Sequence, residues 1–388
     1  MNGAKETAVV RMNGLKGILA LTALLYSLRA GQHFAGSLAG YSLMVLWGYQ
    51  LVSIVERQSI GEWRQWRTKW LQHWWVLLWG IGLMTIVWLF SDYSYLVQER
   101  TDLLTSLLGV SNWYHWITGQ GLVNAGNVTG LGHLAYISWL VQASLLLTGV
   151  SYLLHRTQLE NRMKLMVWLL LGSLTSVVSA LLPMTSAVEA LTYMQSFMAG
   201  AILVYAVPLV LNFFYRYAYK QLAYQLIGLL SAVGLVFVLT SLSVQTVTDL
   251  FSLVPLVNLL TIGSLFGVIV GVPALVYLTQ FPLFTALGER LFFYYLVYCG
   301  VSIWANSWTP LVLWGVGFVL AEACYWLFIR RIVALGFINT VDLSVEFEQM
   351  EVAYQQRTLS PMMWGSLAVT ILLLIGLLCS FMVAYWIG

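Results

Sequence analysis

The sequence predicts an all-α protein that crosses a membrane many times, and three observations lead to this fold class. The chain of 388 residues is 60% hydrophobic and only 9% charged, whereas a soluble domain carries about 25% charged residues. Long stretches contain almost no charge, and none of Asp, Glu, Lys or Arg lies between Asp102 and Arg156. Backbone groups in lipid must be satisfied within their own segment, which favours helices of about 20 residues. We therefore expect a polytopic helical bundle.

The charge-poor stretches divide into eleven expected spans. The ninth and tenth are separated only by a short turn near Pro310, so the expected number of transmembrane helices is ten or eleven. In chain order, the spans are residues 13–30, 36–55, 73–91, 132–154, 164–183, 195–214, 221–241, 252–279, 291–306, 309–329 and 362–386.

The basic residues predict how these spans are oriented. If the N-terminus is cytoplasmic, 16 of the 18 Lys and Arg residues fall on the cytoplasmic side, and the exceptions are Arg29 and Arg100. An excess of basic residues marks cytoplasmic loops. The expectation is a multi-pass protein of the cell membrane, in contact with its lipids, with a cytoplasmic N-terminus and an extracytoplasmic C-terminus.

Composition also argues against several kinds of site. The three cysteines lie in apolar stretches and are typical of small buried side chains. The five histidines show no ligand spacing. We therefore expect neither a disulfide framework nor a metal site, and nothing in the sequence predicts a nucleic-acid partner.

Several short motifs follow one another in an informative order. They are Gly14-Leu15-Lys16-Gly17-Ile18 with Tyr26-Ser27, Val45-Leu46-Trp47-Gly48-Tyr49, Ser111-Asn112-Trp113-Tyr114, His133-Leu134 with Gln142, Leu287-Gly288-Glu289-Arg290 with Tyr295-Leu296, and Ala321-Glu322-Ala323-Cys324-Tyr325. This order resembles the third family of membrane acyltransferases, the type that O-acetylates peptidoglycan and other glycans of the cell wall and envelope.

The resemblance implies a donor, an acceptor and a domain arrangement. The donor would be cytoplasmic acyl-coenzyme A, for example acetyl-coenzyme A, and the acceptor an envelope glycan. Residues 1–338 would form the acyltransferase-like transmembrane domain, 339–361 a cytoplasmic amphipathic segment and 362–388 a terminal transmembrane helix. Many family members continue into an extracellular esterase-like domain, which we do not expect here. A tryptophan-rich stretch, 62–74, is amphipathic and is either an interfacial anchor or a grip on the acidic donor.

The motifs depart from the family at its chemical positions. Lys16 stands where the family normally has Arg, and Ser27 where it has His. Leu140 and Val141 replace a pair of Glu residues. Since eleven residues close about three helical turns, positions 16 and 27 share one face but lie about 16 Å apart along the axis. The two residues are expected to line one path without touching.

The catalytic residues are unknown, and the candidates are Lys16, Ser27, His133 and Glu322. Lys16 either attracts donor phosphates as a point charge or is a snorkelling cytoplasmic lysine. Ser27 is either a nucleophile that needs a base or a small polar residue at a helix contact. His133 is either a replacement base or an interfacial histidine. Glu322 lies well inside an expected span, so it either pairs with Lys16 or Arg290 or belongs to the site.

The candidate substrate-binding residues are Lys16, Trp113, Gln142 and Tyr298. For Gln142 and Tyr298 the alternative role is an interhelical hydrogen bond. Three functions remain open at this point. They are acyl transfer with a rearranged site, a non-catalytic regulator or subunit of an envelope-modifying enzyme, and a small-molecule transporter.

Overall fold

In the computed structural model the described part of the chain is all-α, as predicted. The structure describes residues 2–30, 38–57, 105–118, 135–181, 186–242, 247–301 and 309–326, apart from 107, 216, 218, 292–293, 296, 299–300 and 325. Within these ranges there are eleven helices and no strand. The helices are α1 (Asn2–Ala30), α2 (Ala39–Arg57), α3 (Ser111–Ile117), α4 (Ala135–Arg156), α5 (Asn161–Leu181), α6 (Ser186–Phe214), α7 (Lys220–Ser241), α8 (Val247–Val270), α9 (Pro273–Thr279), α10 (Pro282–Glu289) and α11 (Pro310–Cys324).

Among the described residues, four segments are long and apolar enough to cross a membrane, namely Asn161–Leu181, Leu191–Phe214, Lys220–Ser241 and Phe251–Val270. A shorter apolar helix covers Val312–Ala323. Large apolar side chains on the outer faces of α5 and α7 are exposed, including Leu170 and Phe237. Such faces are suited to lipid contact. The expected spans 73–91 and 362–386 and the amphipathic stretches 62–74 and 339–361 lie outside the described residues.

Helix α2 lies in the middle of the packed core. It packs on α6, α4 and α8, and its side chains Leu46 and Val52 are fully buried. Two glycines let α2 and α6 approach each other closely. A Cβ on Gly48 would lie 2.1 Å from the carbonyl oxygen of Phe197. A Cβ on Gly200 would likewise lie 2.0 Å from that of Val45. Small residues at a crossing let helix backbones meet in this way.

The structure corrects one expected span. Residues 252–279 were expected to form one helix, but α8 ends at Val270 and a separate helix begins at Pro273. Gly271 adopts a φ of +81°, and the amide of Val272 donates to the carbonyl of Gly267 at 2.9 Å. A glycine in the left-handed region followed by a proline is a common helix end. The chain therefore turns and places the short helices α9 and α10 against α1.

Candidate functional site

The first motif of the sequence holds α1 against α9 and α10. A Cβ on Gly14 would lie 1.7 Å from the carbonyl oxygen of Thr279, and one on Gly17 would lie 1.9 Å from that of Phe284. On the partner side, a Cβ on Gly288 would lie 1.7 Å from the carbonyl oxygen of Asn13. These three glycines thus set the depth and rotation of α1.

Lys16 sits between two of these glycines and points toward α2. Its ammonium nitrogen lies 5.9 Å from the centre of the Trp47 ring, which is cation–π distance. The Trp47 indole N–H donates to the Ser144 hydroxyl at 3.0 Å, and this hydroxyl donates to the carbonyl of Leu140 at 2.5 Å. The ring that faces Lys16 is therefore held by hydrogen bonds to α4.

Lys16 carries no counter-charge in the described part of the chain. The ion pairs between described residues are centred on Glu56 and Glu322, and Lys16 takes part in none of them. Its positive charge is met there by the ring of Trp47 alone. The arrangement is suited to binding an anion.

Glu322 pairs with Arg290, one of the two partners expected from the sequence, and not with Lys16. One carboxylate oxygen accepts from the Arg290 guanidinium and from the Tyr294 hydroxyl. The other accepts from the indole N–H of Trp326 at 3.1 Å. Four side chains from residues 290–326 thus form one polar cluster, apart from the contacts of Lys16.

Gln142 joins segment 105–118 to α4. Its side-chain oxygen accepts from Asn112 and from the Trp113 indole N–H, each at 3.0 Å. Its amide nitrogen donates to the carbonyl of Gly109 at 2.7 Å and to Asn112 at 3.0 Å. Trp113 remains 46% exposed while its ring nitrogen is fixed. The structure therefore brings together two of the four candidate binding residues, Trp113 and Gln142.

The other candidates lie elsewhere or outside the description. Tyr298 is buried against Trp314, with ring centres 4.7 Å apart, in a small apolar cluster with Leu313. Ser27 belongs to α1, but its side chain lies outside the described residues, as does the whole of His133. The backbone positions 16 and 27 lie on the same face of the helix, as expected, because α1 runs unbroken from Asn2 to Ala30.

One polar cluster was not anticipated from the sequence, and it is centred on Glu56. The Lys164 ammonium donates to one oxygen of this carboxylate at 2.7 Å, and the Tyr205 hydroxyl donates to the other at 2.7 Å. Nδ1 of His155 lies 3.6 Å from the first oxygen. These residues come from α2, α5, α6 and α4. The available signal was an acidic residue directly after the second expected span.

Chemically, the described residues offer an unpaired cation at Lys16 and two carboxylates already held by basic partners. In this part of the chain no three residues of His, Cys, Asp or Glu are grouped as metal ligands. Comparisons with protein families, curated proteins and solved structures found no match to the chain.

Proposed function

We propose that the chain binds the anionic part of a cytoplasmic acyl-coenzyme A at Lys16 and transfers the acyl group to a hydroxyl of an envelope glycan. The observation that carries the proposal is the Lys16 ammonium, held inside the bundle over Trp47 with no carboxylate partner among the described residues. The family resemblance of the motif around Lys16 supports the choice of anion.

Magnitudes favour a missing anionic partner over a purely structural lysine. A lysine at the centre of a membrane helix costs about 2.5–3.5 kcal/mol on insertion scales, and this is an upper bound for Lys16, which lies near the start of the expected span 13–30. One cation–π contact returns about 0.5–2 kcal/mol. A shortfall of up to roughly 3 kcal/mol remains on these scales, and a bound phosphate or carboxylate would offset it.

The acceptor would bind at Trp113, beside the N-terminal half of α4. Trp113 offers an exposed ring whose orientation is fixed through Gln142, and a fixed exposed indole is a surface on which a sugar ring packs. Trp139 lies beside it, with ring centres 6.5 Å apart. In the transfer, the acceptor oxygen forms a bond to the acyl carbon, the carbon–sulfur bond breaks, and the hydroxyl proton ends on the leaving sulfur.

A second candidate is a non-catalytic subunit or regulator of an envelope-modifying enzyme. The specific observation behind it is which groups the chain places near Trp47 and which carboxylates are already paired. The family position for an acidic pair carries Leu140 here, and Leu140 contributes only its backbone carbonyl to Ser144. The carboxylates of Glu56 and Glu322 are both engaged in ion pairs. Under this alternative, the Lys16 site binds a donor-like anion without turning it over.

Binding and turnover of radiolabelled acetyl-coenzyme A by the full chain in lipid nanodiscs test both candidates. We expect Lys16→Ala to weaken donor binding about tenfold, the equivalent of roughly 1.4 kcal/mol, and Lys16→Arg to retain it. Lys220→Ala is the matched control, since Lys220 also lies over an aromatic ring, at 4.6 Å from the centre of Tyr215. Binding with acyl transfer supports the enzyme, and binding without turnover supports the subunit. No binding by the unaltered chain would contradict both.

A further inference from the structure

Four polar side chains form a row along α4, which we call the α4 polar row. They are Ser144, Thr148, Ser151 and His155, each three or four residues from the next. At about 100° per residue they fall within an arc of about 60° on the helix. Such a continuous polar line is unusual in a helix whose opposite face carries exposed leucines, such as Leu146 and Leu153.

Both ends of the α4 polar row contact α2. At one end, the Trp47 indole N–H donates to Ser144, and the Trp47 ring is the one beneath Lys16. At the other end, Nδ1 of His155 lies 3.6 Å from the carboxylate of Glu56. The row therefore follows the contact between α2 and α4 and connects the surroundings of Lys16 with the Glu56 cluster.

The two hydroxyls in the middle of the row have no protein partner among the described residues. Thr148 is 2% exposed and Ser151 is fully buried, yet neither hydroxyl makes a hydrogen bond there. A buried hydroxyl without a partner costs about 1–3 kcal/mol. Two such groups side by side call for a ligand that hydrogen-bonds to both.

Water has the dimensions that this spacing requires. Side chains one helical turn apart have Cβ atoms about 5–6 Å apart, which is too far for a direct hydrogen bond between hydroxyls. One water between neighbours makes two hydrogen bonds of about 2.8 Å. Each such water would have two or more polar partners, as buried waters in proteins do.

We propose that the contact between α2 and α4 holds a file of water molecules from Glu56 and His155 to Trp47. Through this file, protons exchange between the solution at the Glu56 end and the neighbourhood of Lys16. Each O–H bond that breaks is replaced by one to the next oxygen, so no other reactant is needed. The proposal goes beyond acyl transfer and holds for either candidate function.

The Glu56 cluster is suited to be the mouth of this file. Lys164 and Tyr205 hold the carboxylate in place from two further helices. The side chain of His155 is 29% exposed, so the row ends at an imidazole that is open to the surroundings. An imidazole is the side chain best suited to pass protons near neutral pH.

X-ray-generated hydroxyl radicals test the proposal, because they form from water in place and label side chains beside bound water. The full chain in nanodiscs is irradiated and labelling is read by mass spectrometry. Trp47 is the reporter, and Phe197, which is fully buried in the apolar core, is the control. After correction for intrinsic reactivity, we expect Trp47 to be labelled at least about ten times faster than Phe197; because Trp47 is itself partly exposed, only the labelling lost in the variants below is assigned to the water file.

Variants then assign the labelling to the α4 polar row. Thr148→Val combined with Ser151→Ala should lower Trp47 labelling at least about fivefold and leave Phe197 unchanged. Thr148→Ser keeps the hydroxyl and should keep the labelling. If the double variant is not monodisperse on size exclusion, Thr148→Val alone, which preserves shape, is used. Protection of Trp47 equal to that of Phe197, or labelling that is insensitive to these changes, would overturn the water file whatever the outcome with acetyl-coenzyme A.

Discussion

Removal of the Glu56 carboxylate is the most informative change for the stability of this bundle. In Glu56→Ala, the Lys164 ammonium and the Tyr205 hydroxyl each lose an acceptor at 2.7 Å. Hydrogen bonds to a charged group contribute about 1.5–3 kcal/mol each. His155, at 3.6 Å, is beyond hydrogen-bond distance and adds little.

The expected loss follows from the burial of the partner that remains. The side chain of Lys164 is 7% exposed, so Glu56→Ala leaves a nearly buried ammonium without a counter-charge. Breaking a buried ion pair in this way costs about 3–5 kcal/mol, and the two lost hydrogen bonds give a similar sum. We expect the free energy of unfolding to fall by that amount.

A double-mutant cycle separates the interaction energy between Glu56 and Lys164 from the other effects of each substitution. The free energy of unfolding in bilayers is measured by steric trapping for Glu56→Ala, Lys164→Met and the combination. The combined variant should recover at least about 1.5 kcal/mol relative to the sum of the single changes, because no unpaired charge remains. Glu160→Ala, at an exposed acidic residue just before α5, should stay within about 0.5 kcal/mol of the unaltered chain. A coupling below about 0.5 kcal/mol would refute the reasoning.

Three further changes probe other contacts. Gly17→Ala should destabilise by about 1–3 kcal/mol or more through overpacking, measured against Gly149→Ala, which meets nothing within 4 Å; equal effects would contradict the close crossing. Gln142→Leu should free the indole of Trp113 and raise the quenching of its fluorescence by a soluble quencher. Unchanged quenching would argue against the hydrogen bond between Trp113 and Gln142. Glu322→Ala should cost about 1.5–3 kcal/mol in the same unfolding assay, and a loss under about 0.5 kcal/mol would mean the cluster is fully solvated.

Hydropathy predicted the helices well where one apolar stretch forms one helix. The seventh expected span, 221–241, differs from α7 by a single residue at its start. The prediction of a single helix over 252–279 was wrong because mean hydropathy averages over a turn whose flanking residues are also apolar. The relevant signal was local: Gly271 followed closely by Pro273, a pattern of backbone geometry rather than polarity.

The polar contacts were predictable only in part. Glu322 stood out because it is an acidic residue inside an apolar stretch, and Arg290 was among its expected partners. Glu56 did not stand out, because a charge at the end of a span is ordinary. Its partners come from positions 155, 164 and 205, and only the packing of four helices brings them together.

The contact between Gly17 and the carbonyl of Phe284 also has a consequence for biosynthesis. The two residues are about 270 positions apart in the chain, and a ribosome adds about 5–20 residues per second. The first helix therefore waits roughly 15–50 s after its own synthesis before its docking surface emerges. During that interval the flat glycine face of α1 is unprotected, so the N-terminal helix becomes fixed in the bundle only late in assembly.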